Sequence, residues 1–209
     1  MRSLVRRMTG YRIANLDDFL NAIGEENTND ILANYFCPLN SDVEHFLKHS
    51  AIPFSKQGLA KTHLVFASYQ DNWVLVGYFA LAMKTLLIRR NKSLSSKMRS
   101  RIRRFARVID EADTYEIAAP LIAQLGKNFH NKYDKLITGD ELLNIACDRV
   151  KSIHSTLGGK IAYLECEDKP ALLDFYGRNG FIAFDKRPLD KTDRDTFKSD
   201  HLVQMLRYF

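Results

Sequence analysis

Cysteine is scarce in this chain, and no apolar run is long enough to cross a bilayer. Cys37, Cys147 and Cys166 are the three cysteines among 209 residues. An odd, scattered set argues against a disulfide framework and offers no paired metal spacing. Three reduced thiols buried among apolar side chains are expected. The histidines are equally dispersed; His45 and His49 stand four apart, but no third ligand is near them in sequence, so no metal is expected. The longest apolar run, Val74 to Ala82, stops well short of a membrane span. The basic opening, Met1-Arg-Ser-Leu-Val-Arg-Arg-Met8, is followed by no hydrophobic signal core. These absences predict a soluble, cytoplasmic protein with no membrane segment.

Acid is missing from one stretch, and that gap explains the charge of the whole chain. Between Arg89 and Arg107 stand Arg89, Arg90, Lys92, Lys97, Arg99, Arg101, Arg103, Arg104 and Arg107, with no Asp or Glu between them. The net charge is +6, yet outside this stretch 22 basic residues face 25 acidic ones, a net of −3. Basicity is therefore a local feature. Leu94, Met98, Ile102 and Phe105 recur there at helical intervals, which predicts a basic helical insertion over about 89–111. Such a helix could present a solvated face, track a phosphate backbone or attract another acidic partner.

The remaining pattern alternates strands and helices. Tyr11 to Leu16 reads as a strand, Asp17 to Gly24 as a helix, and Asp42 opens a second helix with Val43, Phe46 and Leu47 on one face. Leu64–Ser68 and Trp73–Leu87 flank the turn signal Gln70-Asp71-Asn72 and predict a hairpin. Glu116–Leu125 is an apolar strand, and Gly126–Thr138 a polar loop. From Gly139 a helix follows with Leu142, Ala146, Val150, Ile153 and Leu157 in one stripe, stopped by Gly158-Gly159. Lys160–Cys166 is a strand and Pro170–Arg178 a helix with proline at its start. Phe181–Phe184 and His201–Tyr208 complete the set. No repeat or linker divides the chain, so one α/β domain over residues 1–209 is expected, an α+β sandwich.

The second half then shows a local signature. Asp174-Phe175-Tyr176-Gly177-Arg178-Asn179-Gly180-Phe181 resembles the "FYekxGF" motif of the GNAT (Gcn5-related N-acetyltransferase) family. The order of elements from about Asn15 onward is similar as well. That resemblance implies one central, mixed but mostly antiparallel sheet, flanked by helices and splayed at an acyl-CoA site. Leu121–Leu125 resembles the strand that carries the pantetheine arm, which implies Ala123, Gln124 and Leu125 as cofactor contacts. Gly139-Asp-Glu-Leu-Leu143 resembles the helix start beneath the pyrophosphate, which implies Thr138, Gly139, Asp140 and Glu141. The physics agrees in part, because a helix N-terminus offers unpaired N–H groups and partial positive charge. Two acids in the first turn oppose a phosphate unless they point outward. The family loop Gln/Arg-x-x-Gly-x-Gly/Ala falls on Asp134, Ile137 and Gly139, and only the glycine is kept. Lys127, Lys132 and Lys135 could replace the missing charge. Lys169 stands where the family more often has an asparagine.

Tyr176 is the catalytic residue the resemblance implies: a phenol that protonates the departing thiolate of coenzyme A. A tyrosine on this helix could equally pack its ring into the core. Glu116, Glu165 and Glu167 lie on or beside the central strands, and spacing does not choose a base among them. No covalent nucleophile is expected, since nothing near Cys166 in sequence would lower its pKa. Phe36-Cys37, the segment Asp42–Ala51 and Val76–Leu81 resemble a GNAT subgroup that includes toxins acetylating the amino acid on transfer RNA. The leading expectation is an N-acetyltransferase taking acetyl-CoA to a primary amine by direct transfer, without metal. Three further readings stay open: action on aminoacyl-tRNA with RNA contact through Arg89–Arg107, a catalytically inactive binding module, and a homodimer.

Overall fold

The computed structural model of the chain describes residues 6–8, 10–90, 94–189 and 200–209. Lys92 of the basic run and Met1–Val5 of the basic opening lie outside the described residues. Strands are β1 (Arg6–Met8), β2 (Tyr11–Asn15), β3 (Lys61–Tyr69), β4 (Asn72–Arg89), β5 (Arg107–Ile109), β6 (Thr114–Lys127), β7 (Ile161–Glu167), β8 (Ile182–Pro188) and β9 (His201–Tyr208). Helices are α1 (Leu16–Ala33), α2 (Ser41–His45), α3 (Ala51–Lys56), α4 (Ser96–Arg103), α5 (Gly139–Leu157) and α6 (Pro170–Arg178). The strands hydrogen-bond in the order β1-β2-β3-β4-β6-β7-β9-β8, and β5 is added on β6. β6 and β7 are parallel, paired at Leu121 and Tyr163; β1–β2, β2–β3, β3–β4, β5–β6, β7–β9 and β8–β9 are antiparallel. This is the mixed, mostly antiparallel sheet that the sequence led us to expect.

Two compact units divide the described chain, residues 1–82 with 123–146 and residues 83–122 with 147–209. In the first, β3 and β4 meet through Gln70 and Asp71, whose φ values of 47° and 61° give the left-handed two-residue turn that suits strand twist. Residues 62–67 of β3 are buried without interruption, so both strand faces are covered. Leu16, Leu32, Tyr35, Leu47, Leu64 and Tyr78 are all below 2% exposed and form the centre of this core. Burial of each apolar side chain contributes roughly 1.5–3 kcal/mol. Tyr35 meets Tyr78 edge to face at 5.2 Å, and Phe46 stacks on Tyr78 at 6.3 Å. Asn15 caps α1 by accepting from the Asp17 amide at 3.1 Å. Gly24, at φ 79°, kinks that helix; the chain resumes helical geometry to Ala33, beyond the expected stop.

The second unit builds its core from Leu86, Ile88, Leu94, Ile102, Ile117, Ile161 and Leu206. Along β4, burial becomes alternating here: Leu86 and Ile88 point inward, whereas Met83 and Leu87 are exposed. Leu94, Met98 and Ile102 bury the inner side of α4 as expected. The helix is shorter than the sequence implies. Only Lys97, Arg99, Arg101 and Arg103 of the basic run lie within it; Arg104 ends it, and Arg107 begins β5. Phe105 leaves the apolar stripe and is 40% exposed, with its ring 6.3 Å from Tyr208. All three cysteines are free and buried. Leu157, at the last turn of α5, is 75% exposed and does not extend that helix's stripe into the core.

Candidate active site

The start of α5 is organised by its own side chains. The Thr138 hydroxyl accepts from the Glu141 amide at 3.1 Å, and the Glu141 carboxylate accepts from the Thr138 amide at 2.7 Å and hydroxyl at 2.8 Å. This is a reciprocal capping box that satisfies two backbone donors. Those bonds from Thr138 hold the Glu141 carboxyl below its ordinary range, and Tyr11 adds to the effect. The Tyr11 hydroxyl donates to the Leu136 carbonyl at 3.1 Å. Its phenol is pushed up to about 12, first by burial and then by the Glu141 charge. Glu141 therefore places its negative charge on the helix end where an anion was expected. The Gly139 amide has no acceptor among the described residues and remains available to an incoming oxygen.

The segment before α5 is not an open loop. His130–Leu136 forms a short 3₁₀ turn, with Asn131 and Lys132 in left-handed geometry at φ 49° and 63°. Ile137, which stands where the family has glycine, is 2% exposed and anchors the segment in the core. Lys127 donates to the Asp134 carbonyl at 2.9 Å, so its charge is committed to tying that turn down. Lys132 and Lys135 are exposed and have no carboxylate partner among the described residues. Of the three lysines considered for phosphate, these two stay free to serve. On β6, Ala123 is exposed, Gln124 donates to Asp42 Oδ2 at 3.0 Å, and Leu125 is half-buried. At Gly126 a Cβ would overlap Tyr35 Oη and Val43 Cγ1, so only glycine fits.

Asn128 had no part in the sequence reading, although it holds this region together. It is 1% exposed. Its Oδ1 accepts from the Phe36 and His130 amides, both at 3.0 Å, and its Nδ2 donates to the Leu75 carbonyl at 2.8 Å. Its own amide donates to the Val76 carbonyl at 2.8 Å. One side chain thus joins the turn after α1, the start of β4 and the beginning of the 3₁₀ turn. An asparagine directly after an apolar strand was the available signal.

Tyr176 belongs to the second unit. Pro170 sets the first turn of α6, and the Tyr176 carbonyl accepts from the Asn179 and Phe181 amides, both at 3.1 Å, as the chain turns. The ring is half-buried, edge-on to Phe175 at 4.9 Å and to Phe181 at 6.0 Å. Its hydroxyl forms no hydrogen bond among the described residues. Burial, with a smaller contribution from Cys166, pushes the phenol well above 10, so it carries its proton at neutral pH. The ring packs between Phe175 and Phe181, while the hydroxyl is left as an unengaged donor among the described residues.

The acids and thiol around Tyr176 are less suited to chemistry. Cys166 packs its sulfur 4.0 Å from Met205 Sδ, and burial pushes its thiol up to about 11. A protonated, buried thiol is a poor nucleophile. Glu165 is held by Arg187 at 2.9 Å and Gln204 at 2.7 Å, and Glu167 pairs with Lys169 at 2.6 Å. These are structural partners; Glu116, at the other strand, stays half-buried. Among the described residues no group of three or more His, Cys, Asp or Glu could hold a metal.

The basic run divides by neighbours. Arg89 pairs with Asp185 at 3.3 Å, and Arg90 with Asp110 at 2.7 Å and Asp113 at 3.3 Å. Arg101 lies over the Tyr208 ring at 4.9 Å. Lys97, Arg103, Arg104 and Arg107 are exposed and pair with no carboxylate among the described residues.

This order of strands and helices is the GNAT fold. No family model and no curated protein sequence matches the chain. Solved structures do. A tyrosine-to-phenylalanine mutant of KacT is similar at TM-score 0.60 and 13% identity, with 93% of this chain and 94% of that one covered. AtaT complexed with acetyl-methionyl-tRNAfMet is similar at TM-score 0.59 and 14% identity, covering 92% and 93%. AtaTR bound with acetyl-CoA is similar at TM-score 0.53 and 14% identity, covering 94% and 93%. At such identities the likeness is one of fold. No helix among the described residues is long and apolar enough to cross a membrane.

Proposed function

We propose that the chain is an N-acetyltransferase that uses acetyl-CoA as acyl donor and a primary amine as acceptor. The observation that carries this is the Tyr176 hydroxyl, protonated at neutral pH and without a hydrogen-bond partner among the described residues. The thioester supplies an activated acyl carbon. Tyr176 gives its proton to the sulfur as the carbon–sulfur bond breaks and the amine nitrogen bonds to that carbon. The acetylated nitrogen loses its extra proton to solvent, because Glu165 and Glu167 are already engaged, and solvent returns a proton to the Tyr176 phenolate. Transfer is direct, since the Cys166 thiol stays protonated. Ala123, Gln124 and Leu125 line the pantetheine; the Gly139 amide, with Lys132 and Lys135, serves the phosphates.

Glu141 opposes that phosphate role, which gives a direct test. Glu141→Gln keeps an acceptor for Thr138 and removes the charge. Acetyl-CoA is expected to bind about 3–10-fold more tightly to this variant, measured by calorimetry. Unchanged or weaker binding would place the phosphates elsewhere. The same group sets a pH dependence. Its folded pKa is depressed, so its contribution to stability is present above the unfolded value and fades as pH falls through the folded value.

A particular acceptor, the amino group of aminoacyl-tRNA, is favoured by the four exposed cations Lys97, Arg103, Arg104 and Arg107. AtaT in complex with acetyl-methionyl-tRNAfMet, similar in fold, supports the same choice. Phosphate contacts release counterions, so affinity should fall steeply with salt. Converting Arg103, Arg104 and Arg107 to glutamine should flatten the slope of log K against log salt by about 2–3. A filter-binding series from 50 to 200 mM salt reads it. An identical slope in the triple variant would remove RNA from this surface.

A further inference from the structure

The first unit contains a cavity of about 580 Å³ that the proposed chemistry does not use. No residue assigned above to the acyl donor lines it. Its floor is apolar: Phe66 and Leu75 are buried, and Phe19 stacks on Phe66 at 5.5 Å. Its rim is of another kind. The Arg12 guanidinium lies over the Trp73 ring at 3.8 Å, giving one flat, weakly hydrated wall. Tyr133 forms a second, held edge-on by His130 at 6.1 Å and by Tyr69 at 5.8 Å.

Two carboxamides complete the rim. Asn34 gives its Nδ2 to the Asp30 carbonyl at 3.1 Å, which leaves its Oδ1 able to accept. The Asn131 side chain makes no hydrogen bond among the described residues and offers both a donor and an acceptor. Asn131 and Lys132 are also consecutive left-handed residues, a backbone geometry that surrounding structure must impose and that recurs where ligands are held. No lining residue is acidic.

These groups discriminate among ligands. An amine would find no carboxylate. A saturated chain would fill the floor and leave the carboxamides and the guanidinium unused. A flat heteroaromatic ring with a negative charge attached uses every part: aromatic walls for stacking, amides for the ring edge, and Arg12 for phosphate. We infer that this cavity is a nucleobase-binding site, separate from the acyl donor's residues, for a free nucleotide or the terminal nucleotide of an RNA strand.

Trp73 is the single tryptophan of the chain, so its fluorescence reports on this cavity alone. The full chain is titrated with adenosine monophosphate and with a pentaadenylate RNA. A saturable emission change is expected with at least one of them. Asn131→Ala, on the surface, and Tyr133→Ala, which removes a wall, should each weaken it about tenfold while melting stays within a few degrees. Acetyl-CoA affinity, read by calorimetry, should not move. Comparable affinity for the two probes assigns a free nucleotide; RNA binding tenfold tighter than the mononucleotide assigns a strand end. The proposal is overturned by no saturable change with either probe, or by variants that bind as the parent does. It is overturned equally if acetyl-CoA binding falls in parallel, because the cavity would then belong to the donor.

Discussion

Tyr176→Phe is expected to lower kcat for acetyl transfer about 10²- to 10⁴-fold and to leave acetyl-CoA affinity within about twofold of the parent. The substitution removes one oxygen and keeps the ring, so the contacts with Phe175 and Phe181 survive. Nothing in the fold depends on the hydroxyl, which has no hydrogen-bond partner among the described residues. A loss confined to kcat identifies an interaction made in the transition state. Because burial raises the phenol above 10, the acid stays protonated from about pH 6 to 9, and the rate in that window should follow deprotonation of the acceptor amine. Release of free thiol, followed with charged tRNA as acceptor, measures both. A variant retaining more than a third of the parent rate would remove Tyr176 from catalysis.

The second large effect concerns stability. Asn128→Ala should cost about 3–4 kcal/mol, because it strands the Phe36 and His130 amides and the Leu75 carbonyl away from water. For a chain of this size that corresponds to roughly 10 °C in Tm. Asn128→Asp keeps both acceptor bonds but buries a charge and sets an oxygen against the Leu75 carbonyl, so at neutral pH the loss is expected to be at least as large as that of Asn128→Ala. Chemical denaturation of the two variants gives the order. If Asn128→Ala melts with the parent, solvent reaches those groups and Asn128 does not hold the turn. Gly126, one strand end away, admits no side chain for the related reason that Tyr35 and Val43 close over it.

Much of this was legible because local signals and burial agreed. Pro170 and Asn179-Gly180 bracket α6 as expected, and Gln70-Asp71 turns the β3–β4 hairpin. Over Arg89–Arg107 the spacing outlasts the helix: Leu94, Met98 and Ile102 are buried at helical intervals, but Phe105 lies past the end. The helix expected over Asp17 to Gly24 runs on to Ala33, because Gly24 bends it without ending it. At the site, Tyr176 stood out because its neighbours form a recognisable string. The Thr138-x-x-Glu141 capping pattern was equally available and explains why an acid follows Gly139. Asn128 and the Tyr11–Glu141 interaction depend on residues distant in sequence, which one chain does not reveal. The left-handed pair Asn131-Lys132 escapes composition for the same reason, since tertiary contacts and not residue type impose it.

Calorimetric titration of acetyl-CoA into the parent chain and into Tyr176→Phe tests the proposed activity most directly. Saturable binding at one site in both proteins, with transfer lost only in Tyr176→Phe, is the expected result. No saturable heat in either protein would contradict it, and would mean that Glu141 and Ile137 close the donor site.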